Sequence, residues 1–224
     1  MDGLPSSLSK HNNKQPQKQS IMDTSSGYKD RALESLKGNW DKGIMATIIV
    51  YALTLVPTYG ISLSSGGESW GALGNLWQVA MLPLGWGLAI FFLRIVRMEK
   101  VDYNHLFEGF SDFWRIFSTL FVKNVFTFLW SLLLIVPGII KYYSYAMTDY
   151  ILKDYPELGV NETIEKSMQM MQGHKMDLFL LHLSFIGWAI LACFTMGLGF
   201  LFLLPYVNTS VAHFYEDLKA EQRA

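Results

Sequence analysis

In a chain of 224 residues with a net charge of -1, the 18 Lys and Arg and the 19 Asp and Glu are bunched between long uncharged windows. A composition that is 51% hydrophobic, 15% aromatic and only 17% charged fits a polytopic membrane protein, and the lack of a net basic field argues against nucleic acid as a partner. The single Cys193 lies in an apolar run, which excludes an intrachain disulfide and any cysteine cluster for zinc or iron-sulfur, and reads as a small packing residue.

Residues 1–27 are Ser, Asn, Gln and Lys with little to bury, so a disordered polar tail is expected there. The first apolar run begins only at Ile44, which suits an uncleaved signal anchor better than a cleavable signal. Between tail and membrane, Leu33, Leu36 and Trp40 recur at helical spacing beneath a charged face, the pattern of a short helix in the headgroup region with Trp40 at the interface.

Two uncharged windows follow, separated by a Gly/Ser turn at Ser64-Ser65-Gly66-Gly67-Glu68, and are read as spans 44–63 and 73–95. Pro57 and Pro83 fall inside them, which is tolerated where neighbours re-satisfy the freed carbonyls. After a polar loop, the stretch from Ile116 to Met147 is too long for one straight crossing of a ~30 Å core, and Pro137-Gly138 divides it into spans 116–136 and 138–153. A second amphipathic surface helix is expected between Asp154 and Met176, capped by Asn161, striped by Ile164, Met168 and Met171, and stopped by Gly173. It is read as a cover over the cytoplasmic ends or as a surface lever. From Leu178 to Tyr215 no Asp, Glu, Lys or Arg occurs. As one helix this run would be about 57 Å long, so it must fold back at Met196-Gly197-Leu198-Gly199, giving spans 177–195 and 199–216.

The expected fold is therefore all-α: six transmembrane helices arranged as hairpins, plus two short amphipathic interfacial helices, in one domain over residues 28–224. With this arrangement, and with Lys123 counted there if it snorkels, all of the 18 Lys and Arg except Lys141 fall on one side, and the positive-inside rule puts both termini in the cytoplasm. Shared sidedness of the termini requires an even number of crossings.

Several segments, in order, carry a resemblance: Arg31-Ala32-Leu33 with Leu36-Lys37-Gly38-Asn39-Trp40, Leu106-Phe107-Glu108-Gly109-Phe110, Ile135-Val136-Pro137-Gly138-Ile139-Ile140-Lys141, Ser167 through Gly173, Phe185-Ile186-Gly187-Trp188 and Leu204-Pro205-Tyr206. The chain resembles the uncharacterised bacterial membrane proteins grouped as the domain of unknown function 975 family. More distantly, it is similar to the membrane domain of some glycerophosphodiester phosphodiesterases. The resemblance implies a six-helix protein integral to the cytoplasmic membrane of a bacterium, without an assigned reaction, and it supplies no catalytic residue.

Ionisable and polar groups at membrane depth are costly and are the candidate functional residues. Lys123 and Asp149 stand at similar distances before and after the Pro137-Gly138 turn, so that in an antiparallel hairpin their depths differ by only about 4 to 5 Å at 1.5 Å per residue. They can pair as a gate or proton-linked ion pair; alternatively Lys123 snorkels to the interface and Asp149 sits near its own helix end. His182 and Asn208 approach similar depth on the last hairpin, with His174 and His213 nearer the cytoplasmic surface. Lys141, beside Tyr142, Tyr143 and Tyr145, reads as an outer interfacial anchor. No spacing of metal ligands, phosphate-binding glycines or a nucleophile elbow occurs, so neither metal nor cofactor is expected. Gly85-Trp86-Gly87 and Gly197-Leu198-Gly199 read as close helix contact and turn. Three classes remain: a non-catalytic protein that binds lipid, a membrane-protein partner or itself, which is the preferred reading; a small-solute transporter or channel, requiring Asn75, Gln78, Lys123, Asp149, His182 and Asn208 to line one path; and a lipid-modifying enzyme.

Overall fold

The computed structural model describes residues 22–64 and 71–223. The expected tail over residues 1–21 and the Gly/Ser turn at residues 65–68 lie outside the described residues. Among those described, all regular structure is helical, in the order α1 Ser25–Leu36, α2 Trp40–Ser64, α3 Gly71–Ala80, α4 Leu82–Val96, a 3-10 helix Tyr103–Phe110, α5 Phe113–Leu133, α6 Ile135–Ser144, α7 Thr148–Asp154, α8 Val160–Met170, α9 Lys175–Leu183, α10 Ile186–Phe194 and α11 Phe200–Glu221.

Three helices are long and apolar enough to cross a membrane, at Trp40–Gly60, Phe113–Leu133 and Lys175–Phe194. A fourth candidate is the α3–α4 pair, bent by 43°. By length and composition this gives three or four spans among the described residues rather than the six expected. The region expected as span 138–153 is broken into α6 and α7, and the second half of α11 carries Glu216, Asp217, Lys219 and Glu221.

α1 begins inside the segment expected to be tail. The Thr24 hydroxyl caps it, accepting the Gly27 N–H. Its inward stripe is Tyr28, Ala32 and Leu36, while Leu33 is exposed, so the expected Leu33–Leu36–Trp40 face is rotated. The partner decides the phase: Tyr28 packs against Phe214 of α11, with ring centroids 5.3 Å apart. Gly38, at φ +84, turns the chain into α2, whose first residue is Trp40.

Pro57 removes the N–H that would pair with the Leu53 carbonyl, and the Trp77 indole of α3 takes that carbonyl at 3.0 Å. The break between α5 and α6 falls at Leu134, in extended conformation, rather than at Pro137-Gly138. Pro137 is the third residue of α6, where its missing N–H costs nothing. The polar segment after α4 folds into the 3-10 helix. A Cβ on Gly87 would collide with the Leu106 carbonyl and one on Gly109 with the Pro83 carbonyl, whereas Gly85 faces open space. The expected close contact thus belongs to Gly87 alone of that triplet.

A second break, unmarked by Pro or Gly, separates α6 from α7. The buried Ser167 hydroxyl of α8 fills it, donating to the Ser144 carbonyl at 2.9 Å and accepting the Met147 N–H at 3.2 Å. α8 itself is capped at Gly159, whose N–H is accepted by the Glu162 carboxylate at 2.9 Å, not at Asn161. Gly173, at φ +93, ends its final turn. Cys193 is exposed on α10 rather than packed inside.

One end of the bundle is tied by ion pairs across distant parts of the chain. Arg97, just past α4, forks onto Asp154 at 2.6 and 2.8 Å and reaches Glu216 at 2.8 Å through Nε. Lys219 and the Tyr215 hydroxyl donate to the same Asp154 carboxylate. Burial pushes that carboxyl up, but these donors outweigh it and hold it down at about 2. Arg31 forks onto Asp217, and Arg94 and Lys153 converge on Glu108, whose carboxyl is held below the usual range in the same way.

Candidate functional site

Four of the polar residues singled out in the sequence, Lys123, Asp149, His182 and Asn208, meet in one place. A cavity of about 250 Å³ is lined by Lys123, Asn124 and Thr127 of α5, Tyr142 of α6, Asp149 and Tyr150 of α7, His182 of α9 and Asn208 of α11, with Ala89, Val207 and Val211 as apolar wall. Lys123 is the central residue of α5, about 15 Å from either end at 1.5 Å per residue. Its ammonium donates to Asp149 Oδ1 at 2.6 Å, and the side chains of the pair are 17% and 26% exposed. Lys123 therefore turns onto Asp149 as its partner.

Asp149 is fixed from two directions. It lies in the first turn of α7, where the helix dipole favours an anion, and the Trp86 indole of α4 donates to its carbonyl at 2.7 Å. The α6–α7 break that turns this residue into the cavity is the one closed by Ser167. His182 Nδ1 lies 3.0 Å from the Leu178 carbonyl, which can only accept, so Nδ1 carries the proton and the Nε2 lone pair is left as the acceptor of the neutral ring. Asn208, Asn124 and Thr127 each return one donor to the carbonyl four residues earlier, at 2.8 Å in every case. Each amide keeps its oxygen and a second N–H. The cavity thus offers a paired cation and anion, amide donors and acceptors, and an imidazole acceptor, against apolar walls.

Other candidates lie elsewhere. Asn75 is exposed, and Gln78 of α3 donates to the Thr58 hydroxyl at 3.3 Å and lines a neighbouring apolar groove of about 370 Å³ that shares Asn124 with the cavity. His174 pairs with Glu221 at 3.3 Å and His213 with the Ser35 hydroxyl at 2.9 Å, both toward the ion-paired end. Lys141 is held by contacts of its own: its ammonium lies 5.1 Å from the Trp130 ring centroid, 5.8 Å from that of Tyr145, and donates to the Met168 thioether at 3.7 Å. Trp86, Asn124 and Ser167 carry no site role in the sequence pattern. Asn124, a polar residue beside Lys123 within an apolar run, is the one with a signal that could have found it.

The family model described as protein of unknown function (DUF975) matches residues 132–222. The matched segment holds α6 through α11, and with them Asp149, His182 and Asn208, but not Lys123. It supports an uncharacterised family and supplies no activity. No curated protein and no solved structure matches the chain.

Proposed function

We propose that this chain is an integral membrane protein that binds, without transforming, the polar headgroup of a lipid in the cavity around Lys123 and Asp149. The observation that carries this reading is the pair itself, set at the middle of α5 and enclosed with His182 and Asn208. Opposite charges side by side suit a ligand that carries both, with a phosphate toward Lys123 and an ammonium or hydroxyl toward Asp149. The adjoining groove, with Val79, Leu82, Phe121, Val125 and Phe128, supports the same reading, since an acyl chain lying there brings its headgroup to Asn124. With Asp149 already compensated by Lys123, the cavity favours binding over acid–base chemistry.

The ion pairs support a common side for both ends of the chain. Arg31 meets Asp217, and Arg97 meets Asp154 and Glu216, so an even number of crossings separates each partner from the next. By the positive-inside rule that side is the cytoplasm.

Lipid co-purifying in a mild detergent, counted by native mass spectrometry, tests the proposal. About one lipid per chain is expected for the unaltered protein, and its loss for the Lys123→Met, Asp149→Leu double variant with unchanged helical circular dichroism. Equal retention by both would overturn it. The solute-transport reading has one observation in its favour, the Asn124 link between cavity and Gln78 groove. Counting against it, Asn75 and Gln78 stand outside the cavity, and solute flux in proteoliposomes would decide for it.

A further inference from the structure

The tip of the last hairpin lies beside the start of the first span. Thr195, Gly199 and Phe202 share an apolar cleft of about 360 Å³ with Leu33 and Trp40, and the Trp40 and Phe202 ring centroids are 6.2 Å apart. Trp40 opens α2, and Asp41 and Lys42 follow it before the apolar run, so this end of α2 stands at a membrane–water boundary. The turn before it borders the same pocket as Met98 and Glu99, which lie past the end of α4. Entry of α2 and exit of α4 are on one side.

A bilayer core is about 30 Å thick. Rings 6.2 Å apart do not stand at its opposite faces. The other end of α11 returns to the same corner, since Asp217 pairs with Arg31 of α1 at 2.6 Å. A helix whose start meets Trp40 and whose later turns meet Arg31 of α1 and Arg97 past α4 has both ends on that side and runs along one boundary.

We infer that the hairpin of α9–α10 and α11, although α9–α10 is long and apolar enough to span, does not cross the membrane but dips into the near leaflet, where Phe194, Met196 and Leu198 lie among its acyl chains, leaving four crossings by α2, α3–α4, α5 and α6–α7, the last needed to return Asp154 to the side of Arg97. This rests on the membrane reading of the chain. The chemistry of the tip supports it independently. Phe194, Met196 and Leu198 are 82%, 96% and 67% exposed, and no charge lies between Leu178 and Tyr215. Every backbone N–H from Thr195 to Phe202 is bonded within the turn, seven to carbonyls of residues 192–199 and that of Gly199 to the Thr195 hydroxyl. Positive φ at Met196 and Gly197 permits that closure. A turn exposed to water has no need to bond every donor internally; one in hydrocarbon must. The sidedness of Lys and Arg is silent on the point, because four and six crossings are both even.

The test places the environment-sensitive dye NBD at single cysteines in a Cys193→Ser background: Leu198→Cys at the tip, Met98→Cys on the near side and Tyr59→Cys toward the far end of α2. Right-side-out and inverted membrane vesicles are treated with impermeant dithionite, and quenching by acyl-chain spin-labelled lipid is read in parallel. The label at Leu198→Cys is expected to bleach with the sidedness of Met98→Cys and to be quenched severalfold more than that label by shallow spin-labelled lipid. Bleaching with the sidedness of Tyr59→Cys would overturn the inference by showing a crossing, and near-side bleaching without lipid quenching would overturn it by putting the tip in water. Absence of lipid quenching at Tyr59→Cys as well would overturn the membrane reading itself.

Discussion

The Trp77 indole N–H donates at 3.0 Å to the Leu53 carbonyl, the acceptor that Pro57 leaves without its helical partner. A proline bend in α2 is thereby satisfied by a neighbouring helix rather than by water. Trp77→Phe is expected to lower stability in detergent by about 1 to 3 kcal/mol, the cost of an orphaned polar group. In a Pro57→Ala background the carbonyl regains a backbone donor, so the same substitution should cost markedly less. Thermal unfolding of the four proteins of this cycle measures the difference.

Ser167 plays the corresponding part at the α6–α7 break. Ser167→Ala leaves the Met147 N–H and the Ser144 carbonyl without their partner and should cost about 1 to 3 kcal/mol. Ser131→Ala, which removes only a hydroxyl bonded to its own helix at Thr127, should stay within about 0.5 kcal/mol. Equal losses in denaturant titrations would refute the staple.

Asp154 makes stability depend on acid. Its carboxyl is held at about 2 in the fold, against about 3.9 for an unperturbed Asp. The stabilisation is therefore fully present above about pH 4 and disappears as pH falls through about 2, a contribution of about 2 to 3 kcal/mol. The difference in unfolding free energy between the unaltered protein and Asp154→Asn should shrink across that window, and a difference that is flat with pH would contradict the assignment.

Gly87 and Gly85 provide a matched pair on α4. Gly87→Ala forces the 3-10 helix off α4 at Leu106 and should cost about 1 to 3 kcal/mol. Gly85→Ala meets open space and should be neutral or stabilising by up to about 1 kcal/mol through helix propensity. Melting temperatures of the two variants should move in different directions or by clearly different amounts.

Much of this architecture is written in local patterns. The helical class, the long apolar helices α2 and α5 with the bent α3–α4 pair, and the meeting of Lys123 with Asp149 follow from run length and a fixed rise per residue. The phase of α1 does not, because Leu33–Leu36–Trp40 and Tyr28–Ala32–Leu36 share one period and only Phe214, far away in the chain, chooses between them. The α6–α7 break carries no Pro or Gly and exists because Ser167 can bond into it. Pro137 looked like a breaker yet fits a first turn, which moved the hairpin corner to Leu134. The Arg97–Asp154–Glu216 cluster joins residues that no spacing rule connects, and none connects Lys141 with Trp130 and Met168.

The most direct measurement is photo-crosslinking from inside the cavity in native membranes. A diazirine-bearing leucine analogue in place of Val211, on the apolar wall beside Asn208, is expected to yield on irradiation a protein adduct whose added mass is that of a membrane phospholipid. That adduct should fall severalfold when Lys123→Met and Asp149→Leu are introduced together. Adducts only with protein or with a water-soluble solute, or a lipid adduct indifferent to the pair, would contradict a headgroup site at Lys123 and Asp149.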